Sequence, residues 1–268
     1  MVKAIMLMAD YGHDPTAKVH VFSETAIPYT TFQKAGFEVH FATETGKAPA
    51  CDEKMLRGIT QALLVLRSSD RYLAARTIPN KSSKGATSSV VQKYDSMAAS
   101  HECKHPRAWT APDFSLDSYD IVFLPGGHEK SVRQIIDSAA VQKLLADYYP
   151  KTKKPSNKAI GAVCHGVMAL SKAKGEDGKS VLHGCVTTAL PARFEQLAYW
   201  GTRAFLGDYY KTYGAGSEDV EASQRGTTAD IEGRSFVVHD DNFNYVSARY
   251  PGDAEPMAEK LVSLVQKT

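Results

Sequence analysis

The sequence predicts an α/β fold in which a mainly parallel sheet is covered by helices on both faces. Three observations predict it. Short apolar segments of strand length alternate with longer helical segments along most of the 268 residues. Two of the strand segments run into glycine-bearing turns, Pro125-Gly126-Gly127 and Cys164-His165-Gly166. The composition, 43% hydrophobic and 23% charged, is that of a globular domain able to bury a large core.

The elements follow in order. Val2–Met8 is a first core strand, and Ser23–Ala35 a helix stopped by Gly36. Phe37–Ala42 alternates apolar and polar residues, the period of a strand. Tyr119–Leu124 is a strand and Val132–Tyr149 a helix. Ala159–Val163 is a continuous apolar strand, followed by a helix over Val167–Ala173. Ser235–His239 and Tyr245–Ser247 are short late strands, and Glu255–Gln266 closes the chain as a helix. Two stretches break the rhythm. Residues 50–117 hold a helical run, Met55–Leu66, and a Ser/Lys/Gly-rich run, Asn80–Ser89; residues 191–230 hold Tyr- and Gly-rich loops. Both are read as insertions forming a small cap on a single domain spanning 1–268. In parallel sheets the site lies at the carboxyl ends of the strands, so the turns at Gly126-Gly127 and Cys164 are expected to converge.

Charge and composition exclude several classes. With 32 basic and 30 acidic residues the net charge is +2, which gives no footprint for nucleic acid or an anionic membrane. The run Lys151-Thr152-Lys153-Lys154 is short, stops at Pro155 and reads as a solvated loop. No run approaches the ~20 apolar residues that span a bilayer. The apolar N-terminal stretch ends at Asp10, too early for a signal peptide, so a cytoplasmic location is expected. Cys51, Cys103, Cys164 and Cys185 are too few for a disulfide framework and are expected to be reduced. His101-Glu102-Cys103-Lys104-His105 offers three metal-ligand types but no evident fourth, and no metal site is assigned.

The chemistry concentrates at Gly161-Ala162-Val163-Cys164-His165-Gly166. A buried strand, a sharp turn and a helix make a nucleophile elbow. The thiol stands at a helix N-terminus, where the dipole and free N–H groups favour thiolate, and a low thiol pKa and strained backbone are expected.

The residues then match a family. Ala162-Val163-Cys164-His165-Gly166, Leu124-Pro125-Gly126-Gly127-His128 and Glu24-Thr25-Ala26-Ile27-Pro28-Tyr29-Thr30-Thr31-Phe32 resemble the ThiJ/PfpI superfamily, relatives of class I glutamine amidotransferases. The last motif, with Gly36-Phe37-Glu38-Val39 and Thr43-Glu44-Thr45-Gly46, is similar to the heat-shock-induced chaperone/glyoxalase III branch. The resemblance implies a flavodoxin-like three-layer sandwich. It implies Cys164 as nucleophile, His165 as acid/base, Glu24 as the carboxyl contacting the thiol, and a carboxylate that orients the histidine. Glu195 is the best placed for that last role, and Asp208 is the alternative. Gly126, Gly127, His128 and Gly166 would shape the oxyanion and substrate pocket.

The implied reaction converts methylglyoxal and related 2-oxoaldehydes to 2-hydroxy acids with no cofactor, glutathione or metal. The expected partners are a small carbonyl substrate and a second copy of the chain as a homodimer. Two other readings stand beside it. One is a Cys-dependent hydrolase or hydratase acting on a larger substrate. The other is a stress-response chaperone or redox sensor. A glutamine amidotransferase is disfavoured, because neither His183 nor His239 begins a His-x-Glu pair.

Overall fold

A computed structural model describes residues 1–10, 22–49, 88–127, 130–217, 220–221 and 236–266. Seven strands form one sheet: β1 (Lys3–Leu7), β2 (Glu38–Thr43), β3 (Arg107–Ala108), β4 (Ile121–Leu124), β5 (Ala159–Val163), β6 (Val237–His239) and β7 (Tyr245–Ala248). Their order is β3-β2-β1-β4-β5-β7-β6. All neighbours pair in parallel except β6, which runs antiparallel to β7. The chain winds outward in one direction from β1 and in the other from β4, so the carboxyl ends of β1, β4 and β5 share one edge. Such a reversal point is where open α/β sheets bind ligands. Strands β4 and β5 are buried at every position, which explains why they read as unbroken apolar runs.

Helices cover both faces. One face carries α1 (Phe22–Lys34), α2 (Ser88–Ala99) and α8 (Ala254–Val265), which bury Phe32, Met97, Met257 and Leu261 against Phe41, Phe123 and Val163. Met257, Ala258, Leu261 and Val265 recur at helical spacing, so one stripe of α8 faces the sheet. The other face carries α4 (Arg133–Ile136), α5 (Ala139–Tyr148) and α6 (Val167–Lys172), with Ile136, Leu145 and Leu170 packed on Val122, Leu124 and Ile160. Each fully buried Leu, Ile or Phe contributes about 1.5–3 kcal/mol.

Three differences from the sequence reading have physical causes. The segment expected as one helix over Val132–Tyr149 is two, because Ser138 caps α5: its side chain accepts from the Val141 N–H at 3.3 Å. Residues 88–117 belong to the body rather than to a cap. Helix α2 packs on α1, the short helix α3 (His101–Lys104) turns Cys103 into the core, and β3 extends the sheet beside β2. Met55–Leu66 and most of Asn80–Ser89 lie outside the described residues. Finally, Ala192–Leu206, read as part of a looped insertion, is the long helix α7, entered from Pro191.

Candidate active site

The elbow is built by close packing. Strand β5 delivers Cys164 at the edge of the sheet, and the chain turns at once into a short 3-10 segment, Cys164–Gly166, and then α6. Cys164 has φ of 56°, a left-handed conformation and the one positive φ of a non-glycine residue among those described. That conformation costs on the order of 1–3 kcal/mol and persists only where the surroundings enforce it. Gly166 allows it. A Cβ there would drive into the Leu124 carbonyl oxygen and stand 2.8 Å from that of Pro125. The β4 and β5 turns are thereby pressed together.

Glu24 enters from the first helical turn of α1 and is fully buried. Pro28, inside that helix, has no N–H to give the Glu24 carbonyl, so the backbone ladder is interrupted where this side chain is set. Burial pushes the Glu24 carboxyl up to about 8; the Cys164 thiol opposes that rise and the charge of Asp253 adds to it. Glu24 is therefore neutral at pH 7. Neither of its oxygens makes a hydrogen bond of ordinary geometry among the described residues. The polar side chain that acts on it as a hydrogen-bond partner is Cys164.

His165 is fully buried, and its Nδ1 lies 3.3 Å from the Cys164 sulfur. Cys164 itself is 5% exposed. Its thiol is not lowered, contrary to the sequence expectation. Burial pushes it well above the usual thiol value, and the negative charges of Glu24 and Glu195 add to that; a hydrogen bond from the His165 backbone opposes it. Desolvation outweighs the helix N-terminus because the sulfur sits in the sheet rather than in water.

Glu195 is buried in the first turn of α7. One oxygen accepts from the Val220 N–H at 3.0 Å, and the other lies 3.4 Å from the Lys211 Nζ, itself buried. Its charge reaches Cys164. The alternative, Asp208, is half exposed and pairs with Lys130 at 2.9 Å, and it is not among the groups whose charge acts on the Cys164 thiol. Gly126 and Gly127 follow β4, with Gly127 at φ 153°. His128 lies outside the described residues.

Two arrangements escaped the sequence reading. A buried pair, Arg249–Asp253, lies just beyond β7. A clasp joins the end of the elbow helix to the segment after α7: the Lys172 ammonium and the Tyr213 hydroxyl both donate to Asp137, at 2.5 Å and 2.7 Å. Arg249 and Asp253 stand at i,i+4 spacing, a signal the sequence reading passed over, whereas the clasp joins positions 35 and 76 apart and has no local signal. The Tyr199 and Tyr210 rings form a small separate cluster. Around Cys103, burial raises the thiol to about 11, while His101 and His105 face solvent. Among the described residues no group of three or more His, Cys, Asp or Glu side chains is arranged to hold a metal ion. The lysine run after Tyr149 is partly spent on structure, with Lys151 paired to Asp117 and the Lys154 ammonium donating to the Asp240 carbonyl. No helix among the described residues is long and apolar enough to cross a membrane.

A family model described as ThiJ/PfpI family-like matches residues 8–225. The Schizosaccharomyces pombe protein C14C4.04 is 26% identical over 266 residues, covering 98% of this chain and 84% of that protein. The glutathione-independent glyoxalase hsp3101 of the same organism is 26% identical over 171 residues, 63% of this chain and 57% of that protein. Among solved structures, glyoxalase III from Candida albicans matches with a TM-score of 0.64 at 19% identity, covering 98% of this chain and 97% of that one. The Rapid Encystment Protein of Francisella tularensis matches with a TM-score of 0.63 at 17% identity, covering 99% of each chain.

Proposed function

Since the chain belongs to the ThiJ/PfpI-like family, we propose that it is a cysteine-dependent, glutathione-independent glyoxalase converting small 2-oxoaldehydes to 2-hydroxy acids. The observation that carries this reading is the strained, buried Cys164 held between the His165 ring at 3.3 Å and a Glu24 carboxyl that keeps its proton at neutral pH. A glyoxalase among the related sequences and another among the similar folds support it.

The chemistry follows from the protonation states. The thiol is not ionised in advance, so His165 takes its proton as sulfur attacks the aldehyde carbon; the new S–C bond makes a hemithioacetal. Neutral Glu24 is the acid facing the sulfur and donates to it as negative charge develops. Backbone N–H groups at Gly127 and His165 receive the oxyanion, with Gly126 and Gly166 shaping the pocket. A base then removes the proton from the sulfur-bearing carbon, the neighbouring carbonyl oxygen is protonated to an enediol, and a proton returns to that neighbouring carbon. The result is a thioester on Cys164. Water cleaves it, releasing the 2-hydroxy acid and restoring the thiol. Glu195 orients the His165 ring through this cycle. The 5% exposure of Cys164 favours small substrates over the larger ones a hydrolase would take.

The test is lactate formation from methylglyoxal by the purified full chain without glutathione and with a chelator present. Wild type is expected to turn over and Cys164→Ala to be inactive. A wild type inert toward 2-oxoaldehydes but alkylated at Cys164 would refute the glyoxalase reading in favour of a hydrolase or a sensor.

A further inference from the structure

Two histidines that the candidate active site does not use, His101 and His105, meet in the fold. Helix α3 is a single turn, and His105 closes it: its backbone N–H donates to the His101 carbonyl at 2.9 Å. Side chains four apart on such a turn lie on one face. The two ring centres are 4.7 Å apart, with the planes tilted by 44°. Both residues are exposed, and neither ring enters a hydrogen bond among the described residues. The turn that carries them is held at its start and in its middle. The Ser100 hydroxyl caps it, accepting from the Cys103 N–H at 3.2 Å and donating to the Met97 carbonyl at 2.7 Å. Cys103, 4% exposed, anchors it in the core that also takes Met97 and Tyr29. The two imidazoles are thus presented to solvent from a fixed platform.

We propose that His101 and His105 form a surface chelate for a divalent late transition-metal ion, nickel, copper or zinc, with water completing the coordination. The pattern is the first ground. His101-Glu102-Cys103-Lys104-His105 has the form H-E-x-x-H, in which two histidines at i and i+4 share one metal. The separation is the second. Two imidazoles that each give one nitrogen to an ion at about 2.0–2.1 Å hold their ring centres about 3.2 Å from it, and so about 4.5–5.2 Å from each other for ligand angles between about 90° and 109°. The observed 4.7 Å falls inside that range, toward the right-angled end that suits tetragonal nickel or copper. Nitrogen ligands select these ions over magnesium and calcium, which take oxygen. The platform favours binding because the rings are already gathered. Cys103 is turned into the core and is not a ligand. Glu102 and Lys104, both exposed, offset one another in charge. Zinc hydrolases add a third protein ligand, and no such group of three exists among the described residues, so the site binds metal without a catalytic role. It is independent of the chemistry at Cys164.

The experiment is calorimetric titration of the purified full chain with nickel chloride, zinc chloride and magnesium chloride, after its accessible thiols have been alkylated so that cysteine cannot bind the ion. Nickel is expected to bind one ion per chain, and magnesium not at all. His101→Gln and His105→Gln are each expected to weaken nickel binding ~10-fold or more, because losing a ligand costs at least what losing a ligand's supporting hydrogen bond does. Both positions are exposed, so both variants are expected to melt as wild type does when no metal is present. With zinc, the ring resonances of the two histidines are expected to shift together in nuclear magnetic resonance spectra. Absence of nickel binding by wild type overturns the proposal. So does undiminished binding in either single variant, which would place the ion elsewhere, and so does a stoichiometry of two chains per ion, which would make the histidines a bridge between molecules rather than a chelate. Methylglyoxal turnover is expected to be the same in wild type and both variants, so failure of the glyoxalase reading and failure of this proposal are read out separately.

Discussion

Glu24 and Cys164 close on one point from two sides, and that point is the missing side chain of Gly126. A Cβ placed there would strike Glu24 Oε2, stand 2.6 Å from the Cys164 Cβ and 2.8 Å from the Val163 carbonyl oxygen. The carboxyl and the thiol meet across the space this glycine leaves. Gly126→Ala is therefore expected to push them apart, costing about 1–3 kcal/mol of stability through overpacking. It should abolish methylglyoxal turnover while Cys164 remains alkylatable. Thermal melting, turnover and mass-detected alkylation check this together.

Glu24 should make stability depend on pH in an unusual direction. Its folded pKa of about 8 stands above the ordinary 4.5. Between those values the folded state holds a proton that the unfolded state has released. Stability therefore falls as pH rises through this window and levels off above it. The loss is of the order of a few kcal/mol. Glu24→Gln cannot ionise, so it should lack this slope and be the more stable protein at pH 8. Urea unfolding at pH 5 and pH 8 decides the matter; parallel losses in both proteins would contradict it.

Cys164 should react as a buried thiol, not as a preformed thiolate. Its iodoacetamide alkylation is expected to rise with a midpoint above about 8.5, the value of a free thiol. Glu24→Gln should lower that midpoint, because the ionised carboxylate that opposes thiolate formation is gone. A midpoint well below neutrality in wild type would contradict the general-base route through His165.

The two candidate orienting carboxylates should separate cleanly. Lys211→Met strands the buried Glu195 without its counter-ion and is expected to cost about 3–5 kcal/mol. Asp208→Asn loses a half-exposed pair and should cost less than about 1 kcal/mol, with turnover retained. Glu195→Gln should lower kcat with little change in KM if Glu195 orients the base. A larger effect at Asp208 would reverse the assignment.

The parts of this molecule that were legible in the sequence are those encoded by local patterns. The apolar runs of β4 and β5 are buried on both faces, so every residue carries the signal, and the elbow is written in six consecutive residues. Burial depth is different in kind. The lowered thiol pKa inferred for Cys164 used a local feature, the helix N-terminus, while the actual balance is set by burial in the fold and then by the charge of Glu24, which is 140 positions away along the chain. Helix α7 was hidden because its Tyr, Trp and Gly content imitates a loop, although Phe194, Leu197 and Ala198 lie at helical spacing. Residues 88–117 were misread because a two-residue strand such as β3 has no periodicity to display.

The clasp of Lys172, Asp137 and Tyr213 gives the elbow helix a mechanical character. This helix is a rod of six residues, about 9 Å long, with the sulfur just before its first turn and Lys172 at its last. Its far end is gripped by the tyrosine of the segment after α7, whose Lys211 also holds Glu195. Sulfur and carboxylate are thus connected to a single outer strap, one through a lever and one through a tether. Anything that lifts the strap acts on the nucleophile and on the carboxylate charge that reaches it in the same stroke.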